Sequence, residues 1–255
     1  MNLLIKGTEL LGIPLTEQQL DLFQVYAQEL MSWNKRFNLT AITNYEEIQT
    51  KHFVDSLACF LAFPGARIRQ TPPYVIDLSL REGFRLIDVG SGAGFPGIPL
   101  KIVRPEINVT LLDSVAKKTV FLSHMVQRLG LTGVEVVTGR AEEVAHSPQH
   151  RERYDVVVSR AVADLAVLAE LCLPFAKIGG RLIAPKKGDI EREIGLATKA
   201  IEILGGRLGE RIEVELPGVL DRRYLVVVDK VSSTSSQYPR RAGIPAKKPL
   251  GQQPK

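Results

Sequence analysis

Cysteine is nearly absent from this chain of 255 residues: only Cys59 and Cys172 occur, far apart and in apolar surroundings. Two isolated thiols exclude a disulfide framework and a cysteine-based metal site, and they read as small buried hydrophobes in a reducing compartment. Histidine is scarce too, and His124, His146 and His150 show neither ligand spacing nor a partnered acid, so no metal is expected. No apolar run approaches the ~20 residues that a membrane span needs. The opening Met-Asn-Leu-Leu-Ile-Lys lacks the basic start and long apolar stretch of a secretory signal, so a cytoplasmic protein without membrane association is expected. A Gly-x-Ser-x-Gly elbow and a Walker lysine are both missing. Acid is missing from one region: residues 231–255 hold Arg240, Arg241, Lys247, Lys248 and Lys255 and no Asp or Glu. The whole formal charge of +5 therefore sits in this tail, and elsewhere 28 bases balance 28 acids. Such a tail either touches a polyanion or only solubilises the chain.

What is present is an ordinary apolar content of 45% with 24% charged residues, enough for one large domain or a core with a small extension. The chain is organised around Arg-Leu-Ile-Asp-Val-Gly-Ser-Gly-Ala-Gly-Phe-Pro-Gly-Ile-Pro at 85–99. Residues 85–89 suit one buried strand, and Gly90, Gly92 and Gly94 follow at alternate positions. Pro96 is suited to the first turn of a helix. Strand, glycine loop and helix start make either a nucleotide-binding turn or simply a tight turn. A dinucleotide fingerprint fails from Gly90, because Phe95 stands where glycine is needed, and fits only late, at Gly92, Gly94 and Gly97. In register, Asp88-x-Gly90-x-Gly92-x-Gly94 resembles the acidic-then-glycine pattern of class I S-adenosylmethionine (SAM) methyltransferases. That pattern makes Asp88, Gly90, Ser91, Gly92, Gly94 and Phe95 candidates for the cofactor. SAM carries a sulfonium cation and no phosphate, so it tolerates a nearby carboxylate.

Residues 1–66 read as a helical extension. Thr16 with Gln19 and Thr43 with Glu46 form capping boxes, and 33–40 reads as a polar-aromatic connector between two helices. Residues 67–84, with Arg67, Arg69, Arg81 and Pro72-Pro73, read as a surface loop. From 85 to 230 strands and helices alternate, with strands expected at 85–89, 107–112, 134–138, 154–159, 181–184, 212–216 and 224–228. Seven strands predict a doubly wound α/β sheet whose last two strands form an antiparallel pair at one edge. Residues 231–255 are expected to be disordered unless a partner orders them.

Ligands of open α/β sheets bind beyond the carboxyl ends of the strands, which directs attention to Asp113, Ala141-Glu142 and Arg160. Asp113 either accepts ribose hydroxyls or caps the following helix. Glu142 either meets an adenine edge or is a surface acid. Arg160, after an all-apolar strand, either takes an anionic group at the cleft mouth or forms a structural ion pair. His52 and Asp55 share a helix face as an acid–base pair or as a structural one. The Asn-Pro-Pro-Tyr element of amino-group methyltransferases is replaced by Ser-Arg-Ala.

Taken together, these stretches resemble the RsmG (GidB) family of 16S ribosomal RNA guanine-N7 methyltransferases. The resemblance is carried by Trp33-Asn34-Lys35 through Asn38-Leu39-Thr40, His52-Phe-Val-Asp55-Ser56, residues 88–99, Leu112-Asp113-Ser114, Arg140-Ala141-Glu142-Glu143, Ser159-Arg160-Ala161, Lys186 and Tyr238-Pro239-Arg240-Arg241. It departs from the family in its long 67–83 loop, and Lys186 and Lys187 compete for one family position. The resemblance implies a class I SAM methyltransferase fold with an N-terminal helical extension. It implies SAM contacts from Gly90, Phe95, Ala141, Glu142 and Arg160, and a ribose contact from Asp113. It also implies an RNA-facing side built from Asn38, His52, Asp55 and Lys186. The expected partner is 16S rRNA, in the 30S subunit or an assembly intermediate, and the expected state is monomeric. Removing the tail is expected to weaken RNA binding and leave SAM affinity unchanged. The competing readings are an NAD(P)-dependent oxidoreductase, from the late glycine match, and a non-catalytic RNA-binding protein.

Overall fold

The computed structural model describes residues 1–68, 76–160, 163–188, 190–216, 218 and 221–251. Two short strands, β1 (Arg67–Ile68) and β2 (Ile76–Asp77), pair antiparallel. The remaining strands are β3 (Arg85–Val89), β4 (Asn108–Asp113), β5 (Val134–Thr138), β6 (Tyr154–Val158), β7 (Ala176–Lys187), β8 (Gly206–Val214) and β9 (Arg223–Lys230). They form one sheet in the order β5-β4-β3-β6-β7-β9-β8. Strands β5 to β7 run parallel, while β9 lies antiparallel to β7 and β8 antiparallel to β9. The expected antiparallel edge pair is thus present, with β7 and β8 longer than the sequence suggests. The order reverses beside β3, which opens a crevice at its carboxyl end.

Side chains alternate across this sheet as strand geometry demands. Leu86, Leu111, Val156 and Val158 enter one core, and Ile87, Leu112, Val157 and Leu182 enter the other. The second core is covered by the helices Leu165–Cys172 and Glu191–Ile203. The first is completed by the N-terminal helices, through Leu4, Phe23, Tyr26, Phe53 and Leu57. Complete burial contributes roughly 1.5–3 kcal/mol for a side chain such as Phe23 or Phe53. The N-terminal helices therefore share the core of the sheet. Both cysteines are buried and free.

Several local expectations change. The Thr16–Gln19 capping box forms in both directions. The next helix is capped by Asn44 in place of Thr43, because the Asn44 carboxamide accepts from both Glu46 N (2.8 Å) and Glu47 N (3.1 Å). The expected connector at 33–40 is mostly helix, since Glu17–Phe37 continues through it. Asn38 ends that helix in the left-handed region (φ 48°), a conformation its short polar side chain tolerates. The helical segment 45–62 contains a π-helical stretch, Ile48–Val54, which carries His52. Within the expected loop 67–84, Ile76 N donates to Gly12 O, and Arg81 clasps Asp155 through two hydrogen bonds. Arg69 and Pro72-Pro73 lie outside the described residues, as does Lys255.

The tail is the largest correction. Residues 231–251 pack against the body, because the buried Glu170 and the half-buried Arg151 provide partners for them. Arg240 meets the buried Glu170, and Arg151 donates to the carbonyls of Thr234 and Tyr238. A short helix, Ile244–Lys247, closes the segment.

Candidate active site

The glycine loop after β3 is bolted to β4. Gly90 N and Ser91 N donate to Leu112 O (2.8 and 3.0 Å), and Gly92 N donates to Asp113 Oδ2 (2.9 Å). Gly90, Gly92 and Gly94 all have positive φ, the conformation that favours glycine. Around this loop lies a cavity of about 590 Å³. Its floor is Gly90–Ala93 with Phe95. Asp113, Ala141 and Glu142 stand on the β4–β5 side, Thr40, His52 and Arg160 on the other, and Gly243 and Ala246 close part of the rim. Gly90, Ser91, Gly92, Phe95, Asp113, Ala141, Glu142, His52 and Arg160 are thus brought together.

Five candidates are placed elsewhere, one of them Asp55, which is buried outside the cavity lining. Gly94 is a packing glycine, since a Cβ there would come within 2.6 Å of Tyr26 Oη and Ile98 Cδ1. Asn38 is exposed and ends its helix, while its neighbours Leu39 and Thr40 reach the cavity. Lys186 Nζ is committed to Ala163 O (2.7 Å) and Glu193 Oε1 (2.6 Å), and the exposed Lys187 also lies outside the cavity lining.

Asp88, the fifth, is completely buried beneath the loop, where its Oδ2 accepts Gly97 N at 2.8 Å. Burial pushes its carboxyl up to about 7, against the opposing pull of the Gly97 N–H and the Arg160 charge. This placement decides between nucleotides. A pyrophosphate needs a free helix N-terminus. The N-terminus of Gly97–Val103 is taken internally by Asp88, so the late glycine match does not build a dinucleotide site.

Asp113 is not the cap of the following helix, whose N-cap is Val115 without a side-chain bond, but it lines the cavity. Oδ1 accepts Val115 N (2.9 Å), which turns the chain toward the helix Ala116–Arg128, and Oδ2 accepts Gly92 N. Both oxygens are thereby aimed and keep capacity for hydroxyl donors. Glu142 Oε1 accepts Gly243 N at 3.0 Å. Two oriented carboxylates beside open glycine backbone suit a nucleoside that carries hydroxyl, amino and cationic groups and no phosphate.

On the opposite wall Arg160 joins three groups. Nη1 donates to Lys51 O (3.0 Å) and Asp55 Oδ2 (2.8 Å), and Nη2 donates to His52 Nδ1 (3.0 Å). Its guanidinium also lies 5.2 Å from the Phe95 ring centroid, and His52 stacks on Phe95 at 4.2 Å. The ion pair with Asp55 is therefore real, and Arg160 still faces the cavity. Arginine can only donate, so His52 Nδ1 must accept and Nε2 carries the proton. That proton goes to Thr40 Oγ1 (2.9 Å), which also accepts Ile42 N (3.1 Å). Burial pushes the His52 imidazole down to about 3, and the Arg160 charge adds to the effect. Both ring nitrogens are occupied, which leaves His52 no lone pair for base chemistry.

The sequence did not single out Tyr26. It donates to Ala93 O and stacks on Phe95 at 5.2 Å, fixing the glycine loop from the helix Glu17–Phe37. Its place between Phe23 and Leu30 on one helical stripe is the signal that could have found it.

A parallel sheet with an antiparallel edge, a cavity over the glycine loop beyond β3 and carboxylates at the ends of β4 and β5 are the marks of a class I SAM-dependent methyltransferase, with SAM as its cofactor. Comparison with known proteins narrows this. The family model for rRNA small subunit methyltransferase G (GidB) matches residues 19–214. Ribosomal RNA small subunit methyltransferase G of Dehalococcoides mccartyi is 51% identical over 250 residues, covering 98% of this chain and 100% of that protein. The protein of the same name from a Roseiflexus species is 48% identical over the same coverage. The chain belongs to the rRNA small subunit methyltransferase G family. Among solved structures, M. jannaschii TYW2 in complex with AdoMet has 17% identity and a TM-score of 0.48, covering 59% of this chain and 70% of that one. A SAM-dependent methyltransferase from Aquifex aeolicus has 23% identity and a TM-score of 0.45, covering 60% and 85%. Among the described residues no helix is long and apolar enough to cross a membrane.

Proposed function

We propose that the protein methylates N7 of a guanine in 16S rRNA, acting as a monomer on the 30S subunit or an assembly intermediate. The observation that carries this reading is the wall formed by Thr40, His52, Phe95 and Arg160, which offers no free proton acceptor. Guanine N7 has an in-plane lone pair and loses no proton before attack, whereas an amino or hydroxyl target needs a base. Bound SAM supplies a methyl group made electrophilic by its sulfonium.

The chain's own residues position. Asp113 and Glu142 are the acceptors for the nucleoside's hydroxyl and amino donors, and the amides of the glycine loop supply donors. Positioning of this kind can lower a barrier by roughly 7–11 kcal/mol. Thr40 supports guanine as the base. Its oxygen already accepts from His52 and Ile42, so the hydroxyl hydrogen remains as a donor at the cavity wall. The Hoogsteen edge of guanine presents two acceptors, N7 and O6, where adenine presents an amino group beside N7.

The test is the pH dependence of single-turnover methyl transfer to 30S particles lacking the modification. A reaction without a base gives a rate constant that is flat from about pH 6 to 9. A limb rising tenfold per pH unit within that range would require a titrating base and contradict the reading.

A further inference from the structure

The segment after β9 carries the surplus positive charge, yet much of its chemistry is spent inside the molecule. Glu170 is completely buried within the apolar helix Leu165–Cys172. It accepts Arg240 Nε at 2.8 Å, Nη2 at 2.6 Å and the Arg240 backbone N at 2.8 Å. Upstream, Arg151 Nη1 donates to Tyr238 O at 2.9 Å, and His146 Nε2 meets Pro239 O at 2.9 Å. These contacts fix the chain before the turn at Gly243, which sits at φ 80°, and Arg240 Nη2 reaches across the turn to Lys248 O at 2.7 Å. There the Gly243 N–H reaches Glu142 Oε1, and Gly243 and Ala246 form part of the cavity wall. The family match ends at residue 214, so this wall lies outside the matched region.

We propose that Gly243 and Ala246, held in place by the packed segment around them, are an integral wall of the cofactor site: they lock Glu142 and close the nucleoside end of the cavity, so SAM affinity depends on them. This rests on the cavity being the SAM site. The Gly243 N–H engages one oxygen of Glu142 and leaves the other as an acceptor for a nucleoside donor, while Ala246 supplies apolar contact. Arg240 is consumed by Glu170, and only Arg241, Lys247 and Lys248 of the described tail cations remain exposed for phosphate. The expectation that the tail serves RNA alone is thereby revised.

The test uses the full chain with S-adenosylhomocysteine as probe. Hydrogen exchange is followed with and without the probe, and its Kd is measured by calorimetry for the wild type, for Gly243→Val and for a variant with Arg241, Lys247 and Lys248 all changed to Ala. A valine at φ 80° is strained although no atom lies within 4 Å of its Cβ, so the turn must move. Binding is expected to slow exchange at 238–248 along with 90–95. Gly243→Val is expected to raise the Kd about tenfold, the scale of one lost hydrogen bond and its contacts. The triple-alanine variant keeps the wild-type Kd and shows a shallower salt dependence of RNA binding. If residues 90–95 are protected while exchange at 238–248 is unchanged, or if Gly243→Val binds like the wild type, the wall is refuted and the SAM site stands. If the wild type neither binds the probe nor gains protection anywhere, the SAM site falls as well.

Discussion

Replacing Arg160 by methionine keeps much of the side chain's apolar stem and removes every donor. Its side chain is 14% exposed and that of Asp55 6%, so the variant leaves a buried carboxylate without its nearest partner. Breaking a buried pair from one side costs about 3–5 kcal/mol. Arg223 Nη1, at 3.6 Å from Asp55 Oδ1, offsets part of this and places the expected loss near the lower end, about 3 kcal/mol. Asp55→Asn in the same background removes the orphaned charge, so the double variant should lose less than the sum of the single losses. A coupling of about 2 kcal/mol is expected for residues in direct contact. Urea unfolding near neutral pH, without cofactor, measures all three variants. An Arg160→Met variant within about 0.5 kcal/mol of the wild type, or additive losses, would refute the pairing as an energetic element. The same variant tests the cause assigned to His52. Losing the Arg160 charge should raise the imidazole pKa from about 3, while burial still holds it below the usual histidine value.

Asp88 gives a pH-dependent prediction. Its folded carboxyl titrates near 7, above the ordinary aspartate value, so its stabilising contribution is complete at low pH and is lost as pH rises through 7. Asp88→Asn has no such loss. Its stability relative to the wild type should therefore climb between about pH 4 and 7 and then level off, and a gap that is constant in urea unfolding across that range would contradict this. Gly94→Ala should be destabilising by about 1–3 kcal/mol, since a side chain at φ 95° is strained and the Cβ meets Tyr26 and Ile98. Thermal unfolding of that variant at the wild-type temperature would remove the packing role assigned to Gly94.

The parallel strands were legible because β3, β4 and β6 are covered on both faces and read as short apolar runs. Their order in the sheet was not legible as a spacing, since β6 lies beside β3 after a detour through β4 and β5. Asp88 illustrates a motif read correctly and assigned to the wrong neighbour. The acidic-then-glycine pattern finds the loop, but burial turns the carboxylate inward to Gly97. Arg160 and Asp55 were each singled out, yet they are 105 residues apart in the chain, and nothing local joins them. The tail's order did leave one trace. Glutamate 170 inside Leu-Ala-Val-Leu-Ala-Glu-Leu-Cys cannot stay buried without a cation, and the surplus arginines lie in residues 231–255.

The most direct measurement of the central claim is the position of the transferred methyl group. 16S rRNA from 30S particles treated with the enzyme and SAM is reduced with borohydride and cleaved with aniline, which breaks the chain only at N7-methylguanosine. A single new scission at one guanine, absent without enzyme, is the expected result. Labelled methyl recovered on an exocyclic amine, a ribose or a ring nitrogen other than N7, with no scission, would contradict a site that transfers methyl without a base.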